Sequence, residues 1–370
     1  MNVPFIDLGK QHESIRREID GAIDDCIRHS AFIQGTRVEG FEEAYATYCG
    51  ARRVIGCGNG TDALFLALKC LGLQAGDRVV VPANTFIATA EAVSMTGAQP
   101  VFADVDPVTA NLVPRSLLEW DQPEVKAVIP VHLYGLPADL PGFRSFQGPL
   151  GRRWLLGDAA QAHGASIDGR DVAILADVST VSFFPGKNLG ALGDAGAVIT
   201  NDDSLADAMA SFRNHGRKSK YTHDVEGVNM RMDEIQAAVL RVKLRHLPRW
   251  NEIRRQLAAR YAKKLSGIPG LTLPPTVPAG HVAVYHLFVI ETDQRDDLAQ
   301  WLSQRGIATG IHYPVPLPLQ PCYAHRHLNP SLFPVAVEKS RRILSLPIFP
   351  EMTRGQQDHV VEAVLSFLAH

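Results

Sequence analysis

Between residues 50 and 200 the chain alternates short, nearly unbroken apolar runs with stretches whose apolar positions recur every three to four residues. "RRVIGCG" precedes "TDALFLALKCLGL", in which Leu64, Leu68 and Leu71 fall on one helical face. "DRVVVP" leads into "TFIATAEAVSMTG" and "QPVFADVD", and "VKAVIPVH", "RWLLGDAA", "VSTVSFF" and "AGAVITND" follow. Strands apolar on consecutive residues, with helices between them, predict an α/β fold built on a mostly parallel sheet covered on both faces. In such a sheet a ligand site is expected at the strand ends.

The pattern changes at "MDEIQAAVLRVKLRHLPRWNEIRRQLAARYAKKL", a long or broken amphipathic helix that Pro248 kinks or divides. Beyond "GIPGLTLPP" a smaller α+β pattern follows, with "AVYHLFVI" as a strand and "RDDLAQWLSQRG" as a helix. A loop rich in proline and histidine and a terminal helix from "RGQQDHVVEAVLSFLAH" complete it. The expected division is a large domain over 1–244 and a small C-terminal domain over 245–370.

Composition adds exclusions. The 370 residues can bury a large core, and 46% hydrophobic against 21% charged residues argues against disorder. A formal net charge of -2 gives no reason to expect nucleic acid or an anionic membrane as partner. No apolar run approaches the ~18 residues of a membrane span, and the acids early in "MNVPFIDLGKQHESIRREID" do not suit a signal peptide. Five cysteines without a C-x-x-C pair read as reduced thiols. The expectation is a soluble, cytoplasmic protein. "AHRH" and "GIHYP" lack companion acids or cysteines at ligand spacing, so no metal is expected.

Four features carry candidate chemistry. Lys187 sits in "STVSFFPGKNLGALGDAG", with no acid within six positions on either side. A lysine walled by apolar and small residues has its pKa depressed, and a neutral amine attacks carbonyls; an exposed loop lysine is the alternative. In this reading Phe183, Phe184 and Pro185 hold the loop against the core, and Gly186 lets the backbone turn. Asp158 ends an apolar strand, where a carboxylate meets a ligand cation or caps a helix over "AAQAHG". "GCGNGTDAL" follows a strand and opens a helix; its glycines let N–H groups approach an anion and Thr61 can donate at the positive helix end. It is no dinucleotide fingerprint, because Thr61 stands where the third glycine belongs, and "PGKN" is no Walker A loop. Phe86 is a stacking aromatic or a core residue, and "RNHGRKSK" reads as a solvated basic loop. An anion cradle, a buried carboxylate, a flat aromatic and a poised amine together match pyridoxal 5'-phosphate, which presents a phosphate, a pyridinium nitrogen, a ring and an aldehyde.

The motifs "PFIDLGKQ", "GNGTDAL", "DAAQAHGA", "SFFPGKNLGALGD", "GVNMRMDEIQAAVLRVKL", "GIHYPVPLPLQ" and "SLPIFPEMT", in that order over nearly the whole chain, resemble the DegT/DnrJ/EryC1/StrS sugar aminotransferases. The resemblance implies the aspartate-aminotransferase fold (fold type I) with pyridoxal 5'-phosphate as cofactor. It makes Lys187 the Schiff-base lysine and proton shuttle, and Asp158 the partner of the pyridinium nitrogen. Gln161 would contact the phenolate oxygen, Gly60, Thr61 and Ser182 the phosphate, and Phe86 the ring. Asn229 would reach the phosphate from a second subunit, implying a homodimer with shared active sites. Arg231, His312 and Tyr313 would touch substrate. Three positions depart from the family pattern: Gly157 replaces an acid, Ala195 a glycine, and Met230 a Ser or Tyr.

The implied activity is transfer of an amino group from L-glutamate to a nucleotide-linked keto-sugar in amino-sugar biosynthesis. The lysine loop resembles enzymes acting at the 3-keto position, whereas 4-keto enzymes more often carry a histidine shortly before the lysine. Dehydratases of the same fold replace the lysine with histidine, so Lys187 weighs against them. A non-catalytic regulator would tolerate loss of Lys187 or Asp158, and both are present.

Overall fold

The computed structural model describes residues 1–120, 122–146 and 153–369. Seven strands form its main sheet: β1 (Arg53–Cys57), β2 (Arg78–Pro82), β3 (Gln99–Ala103), β4 (Val125–Val128), β5 (Trp154–Asp158), β6 (Val178–Ser182) and β7 (Gly196–Thr200). Their order across the sheet is β1-β7-β6-β5-β4-β2-β3. Only β7 runs against the others, pairing antiparallel with both β1 and β6. The pairs β2–β3, β2–β4, β4–β5 and β5–β6 are parallel.

The apolar runs are continuous because both faces are covered. Val79 and Val81 enter one core cluster with Leu64, Leu66 and Leu68, while Val80 enters the other with Val38, Phe41 and Phe183. Successive residues of a strand point to opposite faces, so each face needs its own apolar set.

A third core lies in the C-terminal part, where β8 (Phe288–Glu291) pairs antiparallel with β9 (Ile343–Leu346). The helices Leu247–Leu265, Arg295–Gln304 and Arg354–Leu368 supply Tyr261, Leu298 and Val364 to it. The long helical pattern is divided: Glu234–Leu244 ends, and Leu247–Leu265 begins with Pro248 in its first turn. There the missing proline N–H costs nothing, because that position has no intrahelical acceptor.

Segments cross between the two parts of the chain. Val3 packs in the C-terminal core, its N–H donating to Gly306 O at 2.8 Å and its carbonyl accepting from Ala308 N–H at 3.0 Å. Leu317, Tyr323 and Phe333 return to the core beneath the main sheet. Within "AVYHLFVI" ladder pairing starts only at Phe288. The preceding residues run alongside the large part, with Val284 N–H on Gly135 O at 3.0 Å. That detour carries His286 to the strand ends. Among the described residues no helix is long and apolar enough to cross a membrane.

Candidate active site

A cavity of about 570 Å³ opens at the C-terminal ends of the parallel strands, where α/β sheets place ligands. Asp158, Gln161, Ser182, Lys187, Gly60, Thr61, Phe86, His312 and Tyr313 all line it. The candidate list is thus brought to one place, with two exceptions. Asn229 is exposed and Arg231 half-buried, and neither lines this cavity. Their segment runs beside Gly56–Gly58, with Gly58 N–H on Met230 O at 3.1 Å, and Arg231 Nη1 donates to Asn214 Oδ1 at 3.3 Å.

Asp158 ends β5 and is 4% exposed. No helix follows it, since residues 159–164 form turns, so the helix-cap alternative falls away. Oδ1 accepts from Ala160 N–H at 3.1 Å and Oδ2 from Thr89 Oγ1–H at 2.9 Å. Burial pushes the carboxyl pKa up, while the Ala160 N–H, the Thr89 hydroxyl and the Lys187 charge oppose the rise. A buried carboxylate held by two donors suits a cationic ligand nitrogen.

Lys187 shows the converse shift: burial pulls its amine down to about 8, against the opposing pull of Asp158. No hydrogen-bond acceptor for its Nζ is found among the described residues. The loop around it is anchored by Phe183, which is fully buried between Phe41 and Tyr45 at ring distances of 5.3 and 5.5 Å. Two expectations for this loop are corrected. Phe184 is 57% exposed and does not pack on the core; it lines the cavity. Gly186 is not needed for a turn, because a Cβ there would meet nothing closer than 3.7 Å. The tight point is Gly190, where a Cβ would lie 2.3 Å from the Pro185 carbonyl oxygen.

The anion cradle also differs in detail from the expectation. Gly56 N–H is taken by Glu42 Oε1 at 2.7 Å and Gly58 N–H by the Met230 carbonyl. The N–H groups of Gly60 and Thr61 remain, as the first two of helix Gly60–Cys70 with no intrahelical acceptor. Asn59 caps that helix through Oδ1 on Asp62 N–H at 2.8 Å. A Cβ on Gly60 would lie 2.7 Å from Ser182 Cβ, so only glycine lets these two residues approach. Two bare N–H groups at a helix start with a hydroxyl beside them form a phosphate-sized donor set.

Phe86 is 53% exposed, which removes the core reading, and its ring lies 5.8 Å from that of Tyr313. Gln161 Oε1 accepts from Tyr134 N–H at 2.7 Å and Nε2 donates to Tyr313 Oη at 3.3 Å, leaving one amide hydrogen for a ligand. His312 stacks on Phe5 at 5.7 Å and pairs Nδ1 with Ser345 Oγ at 2.8 Å; burial and Lys187 bring its ring down to about 4. The donors and acceptors fit pyridoxal 5'-phosphate: a carboxylate for its ring nitrogen, a free amine for its aldehyde and a cradle for its phosphate.

Sequence reasoning missed Thr89, His163, Arg254 and His286. His163 Nε2–H donates to the Ser182 carbonyl at 2.9 Å, so its Nδ1 is left to accept from Tyr45 Oη–H at 2.8 Å. Arg254 is 3% exposed and donates through Nη1 to the carbonyls of Tyr285, His286 and Ile348. The signal for Thr89 was its place three residues after Phe86, and for His163 its place in "DAAQAHG". Arg213, in the supposedly solvated basic loop, is buried and pairs with Glu42 at 2.6 Å.

The DegT/DnrJ/EryC1/StrS aminotransferase family model matches residues 13–365. A "pleiotropic regulatory protein" of Geobacillus stearothermophilus is 44% identical, with 100% of each chain covered. The dTDP-3-amino-3,4,6-trideoxy-alpha-D-glucose transaminase of Streptomyces venezuelae is 44% identical over 98% of this chain and 95% of its own. The crystal structure of S. venezuelae DesV in complex with a ketimine intermediate superposes with a TM-score of 0.96 at 43% identity, covering 100% of this chain and 99% of that one. With Lys187 and Asp158 at one cavity, the chain belongs to the DegT/DnrJ/EryC1/StrS aminotransferase family and is a pyridoxal-phosphate-dependent enzyme.

Proposed function

We propose that the protein carries the amino group of L-glutamate to the 3-keto carbon of a nucleotide-linked sugar. The observation that carries this reading is Lys187, a partly desolvated amine with no acceptor among the described residues, in the same cavity as Asp158. The bound cofactor supplies an electron sink for the carbon that loses or gains a proton. Lys187 would be the base that moves this proton, because burial lowers its pKa and favours the neutral amine. Asp158 holds the ring-nitrogen proton, the Gly60 and Thr61 N–H groups with Ser182 grip the phosphate, and Phe86 covers the ring. The free hydrogen of Gln161 Nε2 serves the phenolic oxygen. His312 and Tyr313 border the substrate. The dTDP-3-amino sugar named for the Streptomyces relative supports the 3-keto position.

The same reading makes the enzyme a homodimer in which Asn229 and Arg231 complete the partner's site. Exposed Phe32, Ile33 and Val225, at 45%, 56% and 53%, support a protein-covered surface around that segment. It divides the chain into a cofactor-binding domain over 1–244 and a smaller domain over 245–370. Five free cysteines support a reducing, cytoplasmic setting.

The test is a panel of 3-keto and 4-keto nucleotide sugars with L-glutamate and the cofactor-loaded enzyme. Turnover of the 3-keto sugars is expected. Turnover of 4-keto sugars alone overturns the regiochemistry, and a protein without the visible band of lysine-bound cofactor overturns the mechanism.

A further inference from the structure

Asn188 follows Lys187 directly and is 3% exposed. Its Nδ2 donates to the Val284 carbonyl at 3.1 Å and to Asn251 Oδ1 at 2.9 Å. A backbone carbonyl can only accept, so the nitrogen end of the Asn188 amide is determined and Oδ1 faces the other way. Asn251 is oriented by the same logic, because its Nδ2 donates to the His163 carbonyl at 2.7 Å and leaves Oδ1 for Asn188.

Asn188 Oδ1 lies 3.1 Å from His286 Nδ1. An amide oxygen opposite that nitrogen requires Nδ1 to carry the proton, and the neutral ring then has a bare lone pair on Nε2. The ring stays neutral: burial and the charges of Lys187 and Arg254 hold its pKa well below the usual histidine value. His286 lines the cavity that holds Lys187, and among the described residues Nε2 has no hydrogen-bond partner. Two asparagines anchored on backbone carbonyls thus fix a histidine in one tautomer, with its acceptor unused at the active site.

We propose that His286 Nε2 accepts a hydrogen bond from an N–H or O–H of the bound substrate, either the amino donor's ammonium or a hydroxyl of the sugar. Both sources present the hydrogen that a fixed neutral acceptor needs. The proposal rests on the aminotransferase reading above.

Three enzymes loaded with pyridoxal 5'-phosphate decide it: wild type, His286→Phe, which fills the ring volume without an acceptor, and His286→Gln, whose amide oxygen reaches toward the Nε2 position. Cofactor occupancy is read from the visible band. The donor arm measures affinity for α-methyl-L-glutamate, which cannot lose an α-proton. The sugar arm measures by calorimetry the affinity for dTDP-glucose relative to dTDP. His286→Phe should keep the band and lose about 10- to 100-fold in one arm, which names the source of the hydrogen, with His286→Gln recovering most of it. Both arms within twofold of wild type in His286→Phe, or His286→Gln as weak as His286→Phe, overturns the assignment. Should His286→Phe not fold, His286→Ala is judged by the same two arms. A wild type that binds neither probe counts against the aminotransferase reading instead.

Discussion

Two lysines in this molecule have similarly depressed pKa values and opposite fates. Lys187 and Lys243 are both brought down to about 8, in each case mainly by burial. Lys243 is 0% exposed and spends its hydrogens inside the protein, on the Gly190 carbonyl at 2.7 Å and beside His12 Nε2 at 3.1 Å. Lys187 has no such acceptor among the described residues and opens on the cavity. A shifted pKa therefore does not distinguish a nucleophile from a buttress. What distinguishes them is whether the amine's hydrogen bonds are already made and whether a ligand can reach it. Lys243 even serves Lys187 indirectly, since Gly190 is the tight point of the catalytic loop.

The comparison breaks most sharply by substitution. Lys187→Ala should lose activity on the order of 10⁴-fold while folding normally, measured as product formed from L-glutamate and keto-sugar. Retention of more than a tenth of the activity would show that another base acts. Next in size is the pH dependence of cofactor uptake by the cofactor-free protein. Below its pKa the Lys187 amine is protonated and inert, and above it the amine is neutral and attacks. With a pKa of about 8, uptake should rise about 50-fold between pH 6 and pH 8 and level off above that. A rise that continues steeply to pH 10 would mark an ordinary lysine.

Thr89→Val removes the hydroxyl from Asp158 Oδ2, leaving one oxygen of a buried carboxylate short of a donor. The Asp158 pKa should climb further and kcat should drop about tenfold with the cofactor still bound; an unchanged kcat would remove Thr89 from the site. Smallest is Lys243→Met, which leaves the Gly190 carbonyl without its donor. Stability should fall by about 1–3 kcal/mol in a thermal melt. Activity should stay within about threefold; a collapse like that of Lys187→Ala would show that the two lysines do not divide their work in this way.

Local pattern made much of this legible. The sheet could be read because each buried strand is apolar on consecutive residues, and Lys187 and Asp158 because their neighbours are wrong for a solvated charge. What stayed hidden depends on groups distant in the chain. Thr89 acquires meaning only when the fold brings its hydroxyl to Asp158 at the end of β5, 69 residues away. His286 looked like part of a strand, and its tautomer is dictated by an asparagine 98 residues earlier. The glycine that matters is not the one beside the lysine: Gly186 adjoins it, but the crowding that excludes a side chain occurs at Gly190, where the loop closes on Pro185. Phe184 follows buried Phe183 but faces out of the core, into the cavity.

The pairing of Val3 with Gly306 and Ala308 has a consequence for how the chain is made and handled. On the ribosome Val3 has no partner until about 300 later residues have emerged, which at about 5–20 residues per second is roughly 15–60 s. The C-terminal core therefore cannot close around Val3 until residues 306–308 have followed it. A purification tag placed ahead of Met1 would lie beside Gly306, in the segment that closes on Val3.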